Sequence, residues 1–351
     1  MTDTSWLGPP IDVRALFAPQ QAAFAGLLRG LGPTEWALPT ICPGWDVKDV
    51  AAHVLGDHIG RLSGHRDGYA ALRPRAGEAF PAFLDRINGE WVAGARRISP
   101  RLLIEQLQAT ADQVAEFWLA LDPDTLGWDV TWAGPGPAPV WLDAARDFSE
   151  YWTHHQQICD ATGQAGLMSP GYAGPVIDTF MRALPHTLRN VTAPEGTALQ
   201  MTVTGPGAGE WACTRGPDRW RLHRQPHPEP AARAELDTDT AWRLCTRGIT
   251  PQQAAGRARI DGDHRLATAA LQIVSIIWSP PRSTPLGAAR GPETTGNNSQ
   301  QSVNTDSPER AVRLGVKRPV SQPPSTGETQ ATVRAFSVVA AGRWARAARP
   351  V

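Results

Sequence analysis

Four long segments before residue 163 repeat their apolar side chains every three or four positions, which is the spacing of one face of an α-helix. They span residues 12–31, 46–63, 99–121 and 140–161. Because amphipathic helices bury their apolar faces against one another, this part of the chain predicts a four-helix bundle. A further helix is predicted near residues 83–97, inside the long connection between the second and third segments.

The ends of these segments carry the residues that start and stop helices. Gly32-Pro33 follows the first segment, and Asp46 stands at the N-cap of the second. Ser99-Pro100 places a capping side chain and a first-turn proline at the start of the third. Local signals and periodicity therefore agree on where the helices lie.

The apolar period changes after residue 198. Residues 199–204, 210–214 and 219–223 alternate as strands do and predict sequential antiparallel strands with one wet face. A further strand is predicted at residues 232–236, followed by a helix that passes through Trp242 and Leu244. A last helix is predicted after Asp261-Gly262-Asp263, with Leu266, Ala270, Ile273 and Ile277 facing inward. This part is predicted to be α+β, a small sheet with helices on one side.

Residues 279–351 form a segment of different composition. It is rich in Ser, Thr, Pro, Gly, Asn and Gln, and its only aromatic residues are Phe336 and Trp344. Such a segment cannot bury enough apolar surface to offset its ordering entropy, so a disordered tail is predicted, with one short helix considered near residues 331–348. An unselected extension and an interaction role both remain open for it.

Charge and cysteine usage limit the classes of partner. The 34 basic and 34 acidic side chains cancel, which gives no reason to expect binding to nucleic acid or to an anionic membrane. Small molecules are the expected partners.

The first residues lack the pattern of a signal peptide, and no apolar run reaches the length of a membrane span, so a cytoplasmic location is expected. The four cysteines are far apart and indicate neither a zinc ribbon nor a disulfide framework.

Glu150 and His154 lie four residues apart on the fourth predicted helix and therefore share a face. This spacing selects His154 over His155 as the partner of Glu150, since His155 continues the apolar stripe through Phe148 and Trp152. By itself the pair also fits an ordinary hydrogen bond on a helix surface.

His53, in the middle of the second predicted helix, is the candidate that turns this pair into a metal site. If the two helices pack side by side, one carboxylate and two imidazoles converge, with a fourth position open, as in catalytic zinc sites. His58 lies on the apolar stripe of the same helix and competes with His53, and Asp57 follows His53 by one turn.

Two sequence motifs frame these residues. Residues 40–53, TICPGWDVKDVAAH, resemble the Cys-x-Gly-Trp-(Ser/Asp)-Val-x-Asp-Val-x-x-His signature of the mycothiol-dependent maleylpyruvate isomerase family, a branch of the DinB-like metal-binding bundles. Residues 150–163, EYWTHHQQICDATG, resemble its second signature, Glu-x-x-x-His-x-x-Asp-(Ile/Leu)-x-x-Ala-x-Gly. The resemblance implies a divalent metal, usually Zn²⁺, on His53, Glu150 and His154. Gln157 departs from the Asp of many members and is expected to contact a ligand rather than the metal.

The later part of the chain is similar to the family's second domain, a small sterol-carrier-protein-like (SCP2-like) α+β fold. Gly209-Glu210-Trp211, residues 239–244 and residues 261–267 carry this similarity, which extends over roughly residues 10–278. The fold class expected is α plus α+β. It comprises a DinB-like bundle at residues 10–165, an SCP2-like domain at 166–278 and the disordered tail at 279–351. An arginine of the second domain assists substrate binding in the isomerase, and Arg247 and then Arg243 are the candidates here.

The resemblance implies an enzyme that uses mycothiol as a thiol cosubstrate. A thiolate held by the metal adds to an electrophilic double bond, and the outcome is cis-trans isomerisation or a stable thiol conjugate. A monomer or weak homodimer is expected. The alternative is a non-catalytic module with a structural metal that binds an apolar ligand or a regulatory protein partner. A closed site, with His58, Asp57 or Cys42 as fourth ligand, would favour that alternative.

Overall fold

The structure is a computed structural model that describes residues 3–69 and 71–276. Helices make up the first part, and a five-stranded sheet with further helices makes up the second, so the mixed helix-and-sheet architecture is confirmed. The predicted disordered tail, residues 279–351, and the helix considered near residues 331–348 lie outside the described residues.

The helices of the first part lie where the apolar periodicity predicts them. They are α1 (Phe17–Gly30), α2 (Val47–Gly60), α3 (Phe80–Ala95), α4 (Pro100–Ala120) and α5 (Val140–Thr162). Two predicted N-caps are confirmed. The side chain of Asp46 accepts a hydrogen bond from the Asp49 amide, and that of Ser99 accepts one from the Leu102 amide. Each cap satisfies a backbone donor that the start of a helix leaves without a partner.

The second helix differs from its prediction at its end. Instead of continuing as an α-helix to residue 63, α2 passes into a π-helical segment, Arg61–Arg66. Such segments are rare and often mark functional sites. The buried ion pairs of Arg61, described below, hold this segment against α5, and nothing in the apolar pattern indicates it.

Helix α5 is the central helix of the first part. It is buried along almost its whole length and contacts α1, α2 and α6 (Pro170–Met181). The Trp152 side chain is fully buried, donates its indole N–H to the Leu167 carbonyl at 2.7 Å and meets the ring of Trp242 at 5.7 Å. Helix α5 ends at Gly163, whose left-handed backbone (φ 67°) is the usual glycine C-cap. A polar side chain on so buried a helix has to be paired, or it has to bind something.

The sheet of the second part has the order β5-β4-β3-β6-β7. Its strands are β3 (Ala198–Thr204), β4 (Gly209–Arg215), β5 (Trp220–His223), β6 (Ala232–Asp237) and β7 (Arg259–Gly262). The first three pair antiparallel in sequence order, as predicted. Strand β6 returns to the centre and pairs parallel with β3, with Leu199 opposite Ala232.

Shorter elements complete the fold. They are β1 (Leu126–Asp129), β2 (Pro137–Pro139), α7 (Leu184–Thr187), α8 (Thr238–Cys245), α9 (Pro251–Ala255) and α10 (His264–Ala270).

The last helix is shorter than predicted and ends at Ala270. Beyond it Ser275 donates its amide to the Cys245 carbonyl and its hydroxyl to the Phe180 carbonyl, so the chain leaves the helical path. Ile273 is still buried, whereas Ile277 lies outside the described residues.

In the described part of the chain, no helix is long and apolar enough to cross a membrane.

Candidate metal centre

Helices α2 and α5 bring four metal-ligating side chains together. His53 and Asp57 are one turn apart on α2, and Glu150 and His154 are one turn apart on α5. One donor atom from each of the four lies within 4.8 Å of the others. The three residues predicted from the sequence therefore share one site, and Asp57 joins them.

The spacing of the donor atoms fits a small divalent cation. Nε2 of His154 lies 3.1 Å from Oε1 of Glu150. Nε2 of His53 lies 3.7 Å from the same oxygen and 3.5 Å from Oδ2 of Asp57. Ligands at about 2.1 Å from a tetrahedral zinc ion are separated by about 3.4 Å, which lies inside this range. Imidazole and carboxylate are also ligand types that zinc accepts in catalytic sites.

The site is closed on its imidazole side and open on its carboxylate side. The side chains of His53 and His154 are 7% and 8% exposed, whereas those of Asp57 and Glu150 are 28% and 32% exposed. The two imidazole rings are perpendicular at 4.7 Å, and Trp45 packs 5.0 Å from His53. A small molecule can therefore approach past the two carboxylates.

Gln157 holds His154 from behind. Its Oε1 lies 2.8 Å from Nδ1 of His154 and also accepts the thiol hydrogen of Cys42 at 3.2 Å. An amide oxygen only accepts, so Nδ1 carries the proton and Nε2 faces the cluster. This is the outer hydrogen bond that metal-ligating histidines usually make. Nδ1 of His53, in contrast, is buried and has no hydrogen-bond partner among the described residues.

The charges of the cluster influence one another. Burial opposes ionisation of Glu150, but hydrogen bonds from His154 and His53 outweigh it and hold its pKa below the usual value. Burial also lowers the pKa of His154, yet contacts with Cys42 and Glu150 raise it well above the usual value. Partial burial raises the pKa of Asp57 to about 6, an effect that His53 opposes and Glu150 reinforces. The site thus keeps Glu150 anionic and favours the protonated form of the neighbouring His154 imidazole.

The competing histidines lie apart from this cluster. His155 packs its ring 5.9 Å from Phe24, and burial lowers its pKa to about 4. His58 is fully buried, contacts the Thr110 hydroxyl through Nδ1 at 2.8 Å, and packs against Tyr151. Of the adjacent pair, it is His154 that the structure places beside Glu150 and His53.

A second polar cluster joins the π-helical segment that follows α2 to the first half of α5. Arg61 binds both oxygens of Asp147, at 2.8 and 2.7 Å, and both oxygens of Asp143, at 3.2 and 3.3 Å. Arg146 donates to Asp143 at 2.6 Å and lies 3.0 Å from Asp147. Sequence reasoning missed this cluster. Its signal is the run of charged residues at three-or-four spacing, Asp143, Arg146, Asp147 and Glu150, within residues 140–152, which are otherwise mostly apolar.

Together the two clusters carry a charge imbalance. When His53 and His154 are neutral, as metal-ligating imidazoles are, four carboxylates, those of Asp57, Glu150, Asp143 and Asp147, face only two guanidinium groups. Buried charge is costly unless it is paired, and two of these carboxylates are almost fully buried. A bound divalent cation would offset the two excess negative charges.

The two arginines predicted for substrate binding lie elsewhere in the second part. Arg243 binds Asp160 at 2.7 Å and Asp239 at 2.8 Å, and it stacks over the Trp242 ring at 4.3 Å. Arg247 donates to the Gln272 carbonyl at 3.0 Å from a left-handed backbone conformation (φ 61°). None of these three bonds involves the four clustered side chains, and the substrate role of both arginines stays a prediction.

A family model described as the mycothiol maleylpyruvate isomerase N-terminal domain matches residues 17–159, which include α2, α5 and all four clustered residues. Residues 17–159 therefore belong to the mycothiol maleylpyruvate isomerase N-terminal domain family. Two uncharacterized proteins of Mycobacterium tuberculosis, from strains CDC 1551 / Oshkosh and ATCC 25618 / H37Rv, are also similar to it. Each is 30% identical over 193 residues, which cover 53% of this chain and 70% of the relative.

Solved structures of a mycothiol-dependent maleylpyruvate isomerase and of its histidine-to-alanine mutant are also similar to this chain. Both are 14% identical to it, with a TM-score of 0.42, and the match covers 73% of this chain and 92% of the other.

Proposed function

We propose that this chain is a metal-dependent enzyme that adds a low-molecular-weight thiol, mycothiol, to an electrophilic double bond. The observation that carries the proposal is the cluster of His53, Glu150 and His154, held on two helices within the family-matched region. The ligand types and their spacing favour Zn²⁺. When bound, the ion would supply Lewis acidity and keep the thiol as its thiolate near neutral pH.

Asp57 is placed to take up the proton that the thiol loses. Its Oδ2 lies 3.5 Å from Nε2 of His53, and its side chain stands on the open side of the cluster. In this proposal the S–H bond breaks as the proton passes to the Asp57 carboxylate. A carboxylate on the open side of the cluster, next to where the thiol would bind, suits this role of general base.

The thiolate then attacks the alkene carbon conjugated to a carbonyl group. A carbon–sulfur bond forms, and the electron pair of the double bond moves to the carbonyl oxygen as an enolate. The carbon–carbon bond that was the double bond is now single and can rotate. The electron pair then returns from the enolate, the carbon–sulfur bond breaks, and the isomerised alkene and the thiolate leave. If the enolate carbon is protonated instead, a stable thiol conjugate remains. No protein nucleophile is needed for either outcome.

Several further expectations belong to the same proposal. They are the division into a DinB-like four-helix bundle, an SCP2-like domain and a tail, and a substrate role for Arg247 or Arg243. Small-molecule partners, no binding to nucleic acid, a cytoplasmic location and a monomeric or weakly dimeric state complete the set. Each follows from the sequence patterns and from family membership.

Thiol-dependent turnover tests the proposal. Maleylpyruvate and a panel of other electrophilic alkenes are incubated with mycothiol and with the zinc-loaded or chelator-treated protein. The proposal expects isomerisation or conjugation of at least one substrate that requires both thiol and metal. The absence of thiol-dependent activity across the panel would contradict it.

The position of Asp57 favours one second candidate function. With Asp57 as a fourth ligand the site would be closed and the metal structural, as expected of a non-catalytic module that binds an apolar ligand or a protein partner. Spectroscopy of the metal-loaded protein separates the two candidates. A bound, exchangeable water supports the enzyme, whereas four protein ligands and no water support the module.

A further inference from the structure

Arg61 and Arg146 share the same two carboxylates but differ in what they leave free. Arg61 is 4% exposed and lies between the rings of Trp118 and Trp128, at 4.7 and 5.5 Å. All three of its guanidinium nitrogens donate to Asp143 or Asp147. Arg61 is therefore fully engaged in holding α2 against α5.

Arg146 keeps one donor group unused. Its Nε and Nη2 donate to Oδ1 of Asp143, at 3.0 and 2.6 Å, and Nη2 lies 3.0 Å from Oδ1 of Asp147. Among the described residues, Nη1 has no hydrogen-bond partner. It is not one of the fully buried atoms without a partner, so it is at least partly exposed. The side chain is 24% exposed, so Nη1 is reachable from solvent.

The position of Arg146 relates it to the metal cluster. It precedes Glu150 by four residues on α5, so the two side chains lie on one face of the helix, with Cβ atoms about 6 Å apart. Arg146, Glu150 and Asp57 are 24%, 32% and 28% exposed, whereas the other five charged or imidazole side chains of the two clusters are at most 8% exposed. The three residues thus form the solvent-facing edge of the site.

We propose that Arg146 binds the carboxylate or carbonyl oxygen of the substrate and fixes the electrophile beside the metal cluster. An anion that approaches past Asp57 and Glu150 meets two negative groups, and of the three residues that form this edge Arg146 carries the positive charge. Asp143 and Asp147 hold the guanidinium in place, so little side-chain entropy is lost when a ligand binds. The group that Arg146 recognises is therefore an anionic carboxylate or a polarised carbonyl of a small substrate. This inference rests on the proposed function.

Equilibrium binding to the cobalt-loaded full-length chain tests the inference without turnover. Maleate is titrated in the absence of thiol, and the visible absorption of Co²⁺ reports its binding. The variants are Arg146→Gln and Arg146→Lys, with Arg101→Gln, on an exposed ion pair of α4, as the matched surface control. Arg243→Gln and Arg247→Gln represent the rival arginines. Metal content and thermal unfolding are measured for every variant.

The expected result is unchanged cobalt content in all variants and a dissociation constant for maleate at least about tenfold higher for Arg146→Gln. Arg146→Lys should keep part of the affinity because it keeps the charge, and it decides the question if Arg146→Gln does not fold. Arg101→Gln should bind as the unchanged protein does. With turnover measured as well, KM should rise more than kcat falls.

Three results would overturn the inference. In the first, cobalt is taken up and both Arg146 variants bind maleate as tightly as the unchanged protein. In the second, the unchanged protein takes up cobalt but binds no maleate. In the third, the affinity for maleate is lost in Arg243→Gln or Arg247→Gln instead, which would return the role to the second part of the chain. Failure of the unchanged protein to take up cobalt is distinguishable from these, since it removes the proposed function and the inference together.

Discussion

Gln157 lies directly behind His154, with its side-chain oxygen 2.8 Å from Nδ1 of the imidazole. This bond orients the ring so that Nε2 points toward Glu150 and the other ligand candidates. Where such an outer bond supports a metal ligand, its loss weakens metal binding without removing a ligand.

Replacing Gln157 with Ala should therefore lower zinc affinity by about 10- to 100-fold. Gln157→Glu is the matched control, because it keeps an oxygen acceptor at the same place and should retain most of the affinity. Competition with a chromophoric chelator measures both. Equal affinity of the alanine variant and the unchanged protein would show that His154 does not depend on Gln157.

Much of this site could be predicted from the sequence, because its ligands lie on helices with regular spacing. The i, i+4 relation of Glu150 and His154 fixes their common face, and the caps at Asp46 and Ser99 fix where α2 and α4 begin. Asp57 follows from the same rule applied to His53. The pairing of α2 with α5, in contrast, depends on tertiary packing that no local pattern encodes.

The elements that the sequence did not predict have their causes in longer-range contacts. The π-helical segment at Arg61–Arg66 is held by ion pairs to Asp143 and Asp147, residues more than 80 positions away. Strand β6 pairs parallel with β3 because the chain crosses back over the sheet, which alternation alone cannot indicate. Helix α10 ends early because Ser275 bonds to Cys245 and Phe180.

Asp57 distinguishes the two candidate functions. In the enzyme it accepts a proton and is not an obligatory ligand, so Asp57→Asn should retain zinc and lose at least about tenfold in turnover. Elemental analysis and a thiol-dependent assay on the same preparation measure the two quantities. Loss of zinc from Asp57→Asn to the extent seen for Glu150→Gln would favour the closed, structural site.

Arg182 gives a prediction about stability. It is fully buried, binds Asp178 at 2.9 Å and donates to the Leu7 carbonyl at 2.6 Å. Asp178→Asn leaves this charge without its counterion and should lower the free energy of unfolding by about 3 kcal/mol. Glu105→Gln, which breaks an exposed pair with Arg101, should cost less than about 0.5 kcal/mol. Urea unfolding checks both, and similar small losses would contradict the structural role of the Arg182 pair.

His58 gives a prediction about pH. Burial lowers its pKa from 6.5 to about 3, so between these values the unfolded chain binds a proton that the folded chain does not. Above pH 6.5 the imidazole is neutral in both states and the free energy of unfolding is unaffected. As pH falls from 6.5 toward 3, protonation of the unfolded chain lowers the free energy of unfolding by about 1.4 kcal/mol per pH unit.

His58→Gln should remove this slope from the stability curve, measured by urea unfolding between pH 6.5 and 4.5. Thr110→Val serves as the control, because it removes the hydroxyl that contacts Nδ1 but keeps the imidazole and hence the slope. Identical slopes for His58→Gln and the unchanged protein would mean that His58 is not held neutral in the fold.

The metal content of purified variants shows whether His53, Glu150 and His154 bind a metal. Zinc per chain is measured by elemental analysis for the unchanged protein, for His53→Ala and His154→Ala, and for His155→Gln as the neighbouring control. The expected result is stoichiometric zinc in the unchanged protein and in His155→Gln, and loss of zinc from both alanine variants. Stoichiometric zinc in His53→Ala and His154→Ala would contradict it.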